Sequence, residues 1–94
     1  MTDRDVTEQI HQVIEDELRW PIPEEGLTDA TRIGADGLDL DSVMLIELAV
    51  RLEQRFGFTI PDHEMFELAE RSIGEVAGYV TARLATNSVA NQAT

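Results

Sequence analysis

Apolar residues recur with helical spacing in the first part of the chain. Between residues 3 and 19 they fall at i, i+4, i+7, i+8 and i+12, as Val6, Ile10, Val13, Ile14 and Leu18. This spacing places them on one face and predicts an amphipathic helix. Thr2 or Asp3 is a candidate N-cap for this helix. Pro21 predicts its end, because the residue before a proline is disfavoured in the helical conformation.

A second helical pattern begins at Asp41 and Ser42 and runs to about Phe56, with Gly57 just beyond. It carries two apolar stripes. The first stripe is Leu45, Leu48, Ala49, Leu52 and Phe56, and the second is Val43, Ile46 and Val50. Two stripes indicate either a central helix buried on both sides or a helix whose second stripe contacts a partner. The pattern leaves both interpretations open.

The remaining periodic segments are two further helices. Asp62 is a candidate N-cap for a short third helix that holds Met65, Phe66 and Leu68. Ser72 is followed three residues later by Glu75, a capping-box pattern that predicts the start of the fourth helix. Polar and small residues from position 86 onward predict a flexible tail. We therefore expect an all-α, four-helix domain over residues 1–85 and a flexible C-terminal tail over 86–94.

A long segment without periodicity separates the first two helices. Residues 21–41 are rich in Pro, Gly and Asp, the composition of a loop. A structureless connection of this length is uncommon in a small domain and is often functional. Its apolar residues are candidates for anchoring it to the core: Leu27, Ile33, Leu38 and Leu40.

The charge of the chain excludes several classes of partner. There are 19 acidic residues against 7 basic ones, all arginine, for a net charge of −12. This argues against nucleic acid and anionic membranes, which attract basic surfaces, and favours partners with basic patches. No apolar run approaches the ~20 residues of a membrane span, and the N-terminus does not resemble a signal peptide. We expect a cytoplasmic protein.

The chain lacks the residues that most catalytic and metal-binding sites require. The chain has no cysteine and only two histidines, His11 and His63, which are too few for a histidine metal site. Calcium-loop registers that begin at Asp36 or Asp39 fail because apolar residues occupy required ligand positions. There is no nucleophile elbow and no phosphate-binding loop. A small hydrolase or metal enzyme is therefore disfavoured, and we expect neither enzymatic activity nor a metal.

Ser42 is the remaining candidate for chemistry. It follows the long loop at the first turn of the predicted second helix, where its hydroxyl would be exposed. A phosphate ester there would face the free N–H groups and the positive end of the helix. Taken alone, however, Asp41-Ser42 is also an ordinary N-cap pair.

The stretch from Leu38 to Val43 resembles the phosphopantetheine attachment motif of acyl and peptidyl carrier proteins. The match continues at the family's spacings through Glu47-Leu48, Leu52-Glu53, Phe56 and Ile60-Pro61-Asp62. It extends over roughly residues 5–85. The resemblance implies a free-standing four-helix carrier domain with Asp41 and Ser42 as its attachment site. A separate phosphopantetheinyl transferase would esterify Ser42 with 4'-phosphopantetheine from coenzyme A, and the thiol of this arm would hold an acyl group as a thioester.

The resemblance also implies that the second helix is the docking surface, which would give its second apolar stripe a use. The implied docking residues are Asp39, Val43, Met44, Ile46, Glu47, Val50 and Glu53. The carboxylates among them would steer basic partners. Expected partners are the transferase and an acyltransferase, ketosynthase or other pathway enzyme with basic and apolar patches. The carrier itself is expected to be a monomer.

One position departs from the pattern of fatty-acid carriers. The second residue after their serine is commonly acidic, whereas here it is Met44. This favours a polyketide or other specialised pathway over primary fatty-acid synthesis. The alternative carrier is an aminoacyl or peptidyl carrier of a nonribosomal peptide pathway. The alternative that is not a carrier is an unmodified acidic interaction domain.

Overall fold

The computed structural model describes the backbone of residues 3–93 and the side chains of residues 4–85. The helices are α1, Asp3–Gln12, continued by a π-helical turn over Val13–Glu17; α2, Ser42–Phe56; α3, Asp62–Met65, continued by a 3₁₀ helix over Phe66–Glu70; and α4, Ile73–Ala93. Within residues 3–93 there is no β-strand, only an isolated bridge between Arg32 and Ser72. The predicted all-α fold with four helices and a short third helix is confirmed.

The apolar face of α1 is buried as its spacing predicts. Its fully buried side chains are Val6 and Ile10, followed in the π-helical turn by Val13 and Ile14. α1 packs mainly against α4, and α2 adds the buried Leu45, Leu48, Ala49 and Leu52. Each large side chain buried in this way contributes about 1.5–3 kcal/mol relative to leaving it exposed. The first stripe of α2 is therefore its core stripe.

The last turn of the first helix differs from the prediction of a regular helix to about residue 19. From Val13 to Glu17 the turn is π-helical, and the Leu18 N–H donates to the Val13 carbonyl at 2.9 Å. The helix ends here because Arg19 adopts a left-handed conformation (φ 53) shortly before Pro21. Among the candidate N-caps at its start, Thr2 and the side chain of Asp3 lie outside the described residues.

Loop 1, residues 18–41, is held to the fold by backbone hydrogen bonds. The N–H of Ile33 donates to Arg71 O at 3.0 Å, and the N–H of Gly34 donates to Ala69 O at 3.2 Å. A Cβ on Gly34 would lie 2.6 Å from that Ala69 oxygen, so only glycine permits this approach. Of the predicted anchors, Ile33, Leu38 and Leu40 are buried and Leu27 is half-buried. The loop is thus irregular but well anchored.

The start of α4 follows the prediction of a capping box. Ser72 and Glu75 form the reciprocal capping box, with N–H to oxygen distances of 2.8 and 3.2 Å. Accepting the Ser72 N–H lowers the pKa of Glu75. The backbone of α4 continues as helix to Ala93, and no Pro or Gly interrupts its last part. The flexible tail over residues 86–94 stays a prediction. Thr94 lies outside the described residues, and none of the described helices is long and apolar enough to cross a membrane.

Candidate functional site

Ser42 is the first residue of α2, and its side chain is exposed. Asp41 precedes it with an extended backbone (φ −81, ψ 177), and its Oδ1 accepts a hydrogen bond from the Met44 N–H at 2.9 Å. Aspartate is a preferred N-cap because its short carboxylate reaches this N–H. Asp41 therefore determines where α2 begins, which leaves the Ser42 hydroxyl at the exposed end of the helix.

The residues just before Ser42 alternate between buried and exposed positions. Leu38 and Leu40 are buried, whereas Asp39 and Asp41 are exposed. Asp39 has a left-handed backbone (φ 58), a conformation that aspartate tolerates better than most residues. Its N–H donates to the Gly34 carbonyl at 2.8 Å. The two leucines anchor the segment, so both carboxylates lie in solvent near the start of α2.

The start of α2 suits a phosphate ester on Ser42. The first helical bond runs from the Leu45 N–H to Asp41 O at 2.9 Å, and the Met44 N–H is capped. The N–H groups of Ser42 and Val43 therefore have no helical acceptor. Free N–H groups and the positive end of a helix dipole both favour an anion. This donor set fits the phosphate of a phosphopantetheine group esterified to the neighbouring hydroxyl.

The second apolar stripe of α2 is largely uncovered. Val43 is 68% exposed and Ile46 is 42% exposed. Val50 is half-buried, and Met44 is half-buried with its side chain against the core. The first half of α2 is therefore not buried on both sides, which favours the interpretation that its second stripe is free for a partner. The docking role itself stays a prediction.

The carboxylates that the resemblance assigns to docking differ in their surroundings. Glu47 is exposed, with Oε2 3.5 Å from Nε of Arg51. Glu53 instead accepts a hydrogen bond from the Ile60 N–H at 2.8 Å, so its Oε2 holds the connection that follows α2. The exposed carboxylates close to Ser42 along the chain are those of Asp39 and Asp41.

Phe66 is an exposed apolar residue that the sequence pattern does not assign to the site. It is 50% exposed at the start of the 3₁₀ helix, while Leu68 is buried. Residues two apart on a helix do not share a face. The two-residue spacing between Phe66 and the buried Leu68 therefore indicates that Phe66 points away from the core. Among the described residues, the exposed large apolar side chains are Val43, Ile46 and Phe66. They lie on α2 and on the segment that packs against it.

Comparison with known proteins connects this geometry to a family. The sequence model of the family described as "Phosphopantetheine attachment site" matches residues 8–80. An acyl carrier protein of Tropheryma whipplei is 30% identical over 82% of this chain and 88% of that protein. An acyl carrier protein of Rhodococcus erythropolis is 29% identical over 84% of this chain and 81% of that protein.

A third relative matches a shorter region. The meromycolate extension acyl carrier protein of Mycobacterium tuberculosis is 38% identical over 62% of this chain. That alignment covers 49% of the relative, so it spans about half of that protein's length. No solved structure matches the chain at a significant level.

Proposed function

The chain belongs to the acyl carrier protein family, and we propose that its Ser42 carries 4'-phosphopantetheine. Members of this family are carriers rather than enzymes and bear this group covalently attached. The supporting observation is the exposed Ser42 hydroxyl beside the free N–H groups of α2. Ser72 is the other serine in the matched range, and its Oγ accepts the Glu75 N–H in the capping box. Ser42 is therefore the better acceptor of the two.

The roles of the surrounding residues follow from their contacts. Asp41 holds the first turn of α2 in place through the Met44 N–H. The free N–H groups of Ser42 and Val43 would donate to the phosphate ester and stabilise its charge. The attached group supplies a terminal thiol that holds the cargo as a thioester. Because the arm tethers the cargo, each partner enzyme meets it at a raised effective concentration.

We further propose acyl cargo and a role in polyketide or fatty-acid biosynthesis. The relatives named acyl carrier protein favour an acyl group over an aminoacyl group. Met44, in place of the acidic residue common in fatty-acid carriers, and the exposed Val43 and Ile46 favour partners with apolar docking patches. This supports a specialised polyketide pathway, whereas the relative named for meromycolate extension supports a lipid pathway. The cytoplasmic location and the monomeric state stay predictions.

Attachment at Ser42 is tested by intact mass. The apo protein is incubated with coenzyme A and a broad-specificity phosphopantetheinyl transferase, and we expect the mass gain of one phosphopantetheine group. Ser42→Ala should abolish this gain. Ser72→Ala, the matched control, should keep it, although the loss of the cap costs about 1 kcal/mol of stability. An unmodified wild-type protein, or modification of Ser42→Ala, would contradict the proposal and favour an unmodified interaction domain.

The class of cargo is tested by loading. The holo protein is offered to an acyltransferase with acyl-coenzyme A and, separately, to an adenylating enzyme with amino acid and ATP. Thioester formation is then read from the intact mass. We expect loading by the acyltransferase. Loading by the adenylating enzyme alone would identify an aminoacyl or peptidyl carrier.

A further inference from the structure

A groove runs along loop 1 beside the attachment segment. One wall is formed by residues 20–23 and the other by residues 37–39, and together they line an open groove of about 360 Å³. The first wall consists of Trp20, Ile22 and two prolines. The second ends at Asp39, three residues before Ser42. The groove is separate from the exposed stripe of α2 described above.

The walls of this groove are joined by a hydrogen bond. The indole Nε1–H of Trp20 donates to the Leu38 carbonyl at 2.7 Å and so links one wall to the other. Asp39 is fixed by its bond to Gly34 O at 2.8 Å, and the Trp20 N–H donates to Ile14 O at 3.2 Å. A site with walls held in this way needs little ordering when a ligand enters it, which lowers the entropy cost of binding.

The lining of the groove selects the chemistry of its occupant. Trp20 and Ile22 are half-buried, so each leaves part of an apolar side chain open to the groove. Asp39 is exposed at the other wall and contributes a carboxylate acceptor. An anion is disfavoured next to this carboxylate. A fitting ligand would carry methyl groups for the apolar wall and an O–H or N–H donor for Asp39.

The arm proposed for Ser42 has this chemistry and lies within reach. Its pantoyl unit carries two geminal methyl groups and a hydroxyl, and its two amides each carry an N–H. Three residues span at most about 10–11 Å of chain, which limits the distance from Asp39 to Ser42. An arm built of pantoyl, β-alanyl and cysteamine units contains more backbone bonds than three residues and can cover this distance.

We propose that the loop 1 groove seats the pantetheine arm attached to Ser42. The apolar parts of the arm contact Trp20 and Ile22, and a hydroxyl or amide of the arm donates to Asp39. This inference rests on the proposed attachment at Ser42. A short tether gives an effective concentration in the millimolar range, so even a millimolar intrinsic Kd fills such a groove about half of the time. The arm is thus held between visits to partner enzymes and released readily to each of them.

The test compares apo and holo protein by two readouts that need no partner activity. Holo protein with a labelled chain and an unlabelled arm should give nuclear Overhauser contacts from the arm's protons to Trp20 and Ile22. Trp20 is the single tryptophan of the chain, so its emission reports on the groove. Conversion to holo should shift this emission to shorter wavelengths, because the arm displaces water from the indole. Ser42→Ala, treated identically, should show no shift.

Two groove variants and a matched control sharpen this comparison. Ile22→Asp removes apolar contact and adds a carboxylate to the groove, so the contacts and most of the emission shift should be lost while the mass gain stays complete. Gln54→Asp makes the same change of charge on an exposed residue twelve positions beyond Ser42 and should keep both signals. Should Ile22→Asp not fold, Asp39→Gly removes the acceptor alone, because glycine tolerates φ 58, and should reduce the emission shift.

The outcomes separate this inference from the attachment on which it rests. In fully modified protein, arm contacts to Val43, Ile46 or Met65 instead of the groove, or no contacts at all, would overturn the groove and leave Ser42 as the attachment residue. Unchanged signals in Ile22→Asp or Asp39→Gly would overturn it as well. Absence of the mass gain would overturn both proposals, because the arm would then have no anchor beside the groove.

Discussion

At the scale of single residues, Asp41 carries both a structural contact and a charge beside Ser42. Its Oδ1 caps the Met44 N–H at 2.9 Å, and its side chain is exposed. We expect Asp41→Ala to lower the free energy of unfolding by about 1 kcal/mol, because an N-cap acceptor is lost. Denaturant unfolding followed by circular dichroism measures this loss.

Asp41→Asn is the matched comparison. Asparagine keeps a side-chain oxygen for the Met44 N–H and caps helices about as well as aspartate, so most of the stability should remain. If the transferase then modifies Asp41→Asn more slowly than the wild type, the cause is the loss of the charge and not the loss of the cap. Equal destabilisation of the asparagine and alanine variants would show that the cap contributes little.

At the scale of elements, α2 joins a buried stripe to an uncovered one. Leu48 belongs to the core with no exposed surface, whereas Ile46 is 42% exposed on the second stripe. Val50 belongs to the same stripe but is half-buried, so Ile46 is the cleaner probe. We expect Ile46→Asp to lower the free energy of unfolding by only about 1 kcal/mol, because Ile46 is already 42% exposed. It should reduce the transferase's kcat/KM at least several-fold, because it would introduce a charge into the second apolar stripe, the proposed docking surface.

Two further variants control for charge and for folding. Gln54→Asp adds the same charge to another exposed position of α2, and the transferase should modify it at the wild-type rate. Leu48→Ala should lower the free energy of unfolding by about 2–5 kcal/mol, because the smaller side chain leaves a cavity in the core. A transfer rate for Ile46→Asp equal to that of Gln54→Asp would rule out the second stripe as the surface that this partner uses.

At the scale of the whole molecule, one polar cluster links three parts of the fold. Tyr79 of α4 donates from its hydroxyl to Glu64 of α3 at 2.6 Å. Arg83 donates to the Tyr79 oxygen at 3.2 Å and to Thr59 O, in the connection after α2, at 2.8 Å. Burial, together with the bond to Glu64, raises the pKa of Tyr79 to about 12.

This pKa predicts a loss of stability at alkaline pH. The unfolded chain releases the tyrosine proton near pH 10, whereas the folded protein retains it to about pH 12. The unfolded state therefore binds fewer protons in this window, and the free energy of unfolding falls as the pH rises from 10 to 12. The chain has no lysine, no cysteine and no second tyrosine, so no other side-chain type is expected to titrate strongly there. Denaturant unfolding at several pH values, with tyrosinate absorbance alongside, measures both effects.

Tyr79→Phe provides the control for this prediction. The variant should be less stable than wild type at neutral pH, because Glu64 loses its donor. Its stability should then stay nearly flat between pH 10 and 12. A comparable alkaline decline in Tyr79→Phe would assign the effect to another group.

Local patterns in the sequence were sufficient for the helices and for the position of Ser42. The apolar spacing of α1, the N-cap at Asp41 and the capping box of Ser72 and Glu75 each involve residues within a turn or two of one another. Such features depend on backbone geometry that is the same in any helix. They predicted the all-α fold, and with the family motif they singled out the exposed serine at the start of α2.

Contacts between distant residues decided the rest. Three features depend on which segments pack together: the π-helical turn from Val13 to Glu17, the bond from the Ile60 N–H to Glu53, and the groove between Trp20 and Asp39. The same is true of the second stripe of α2, because a periodic pattern shows that a face is apolar but not whether a neighbour covers it. The sequence alone therefore determined the presence of four helices, the candidate attachment serine and the acidity of the chain. Only the tertiary structure decided which apolar faces stay open and where a groove forms along loop 1.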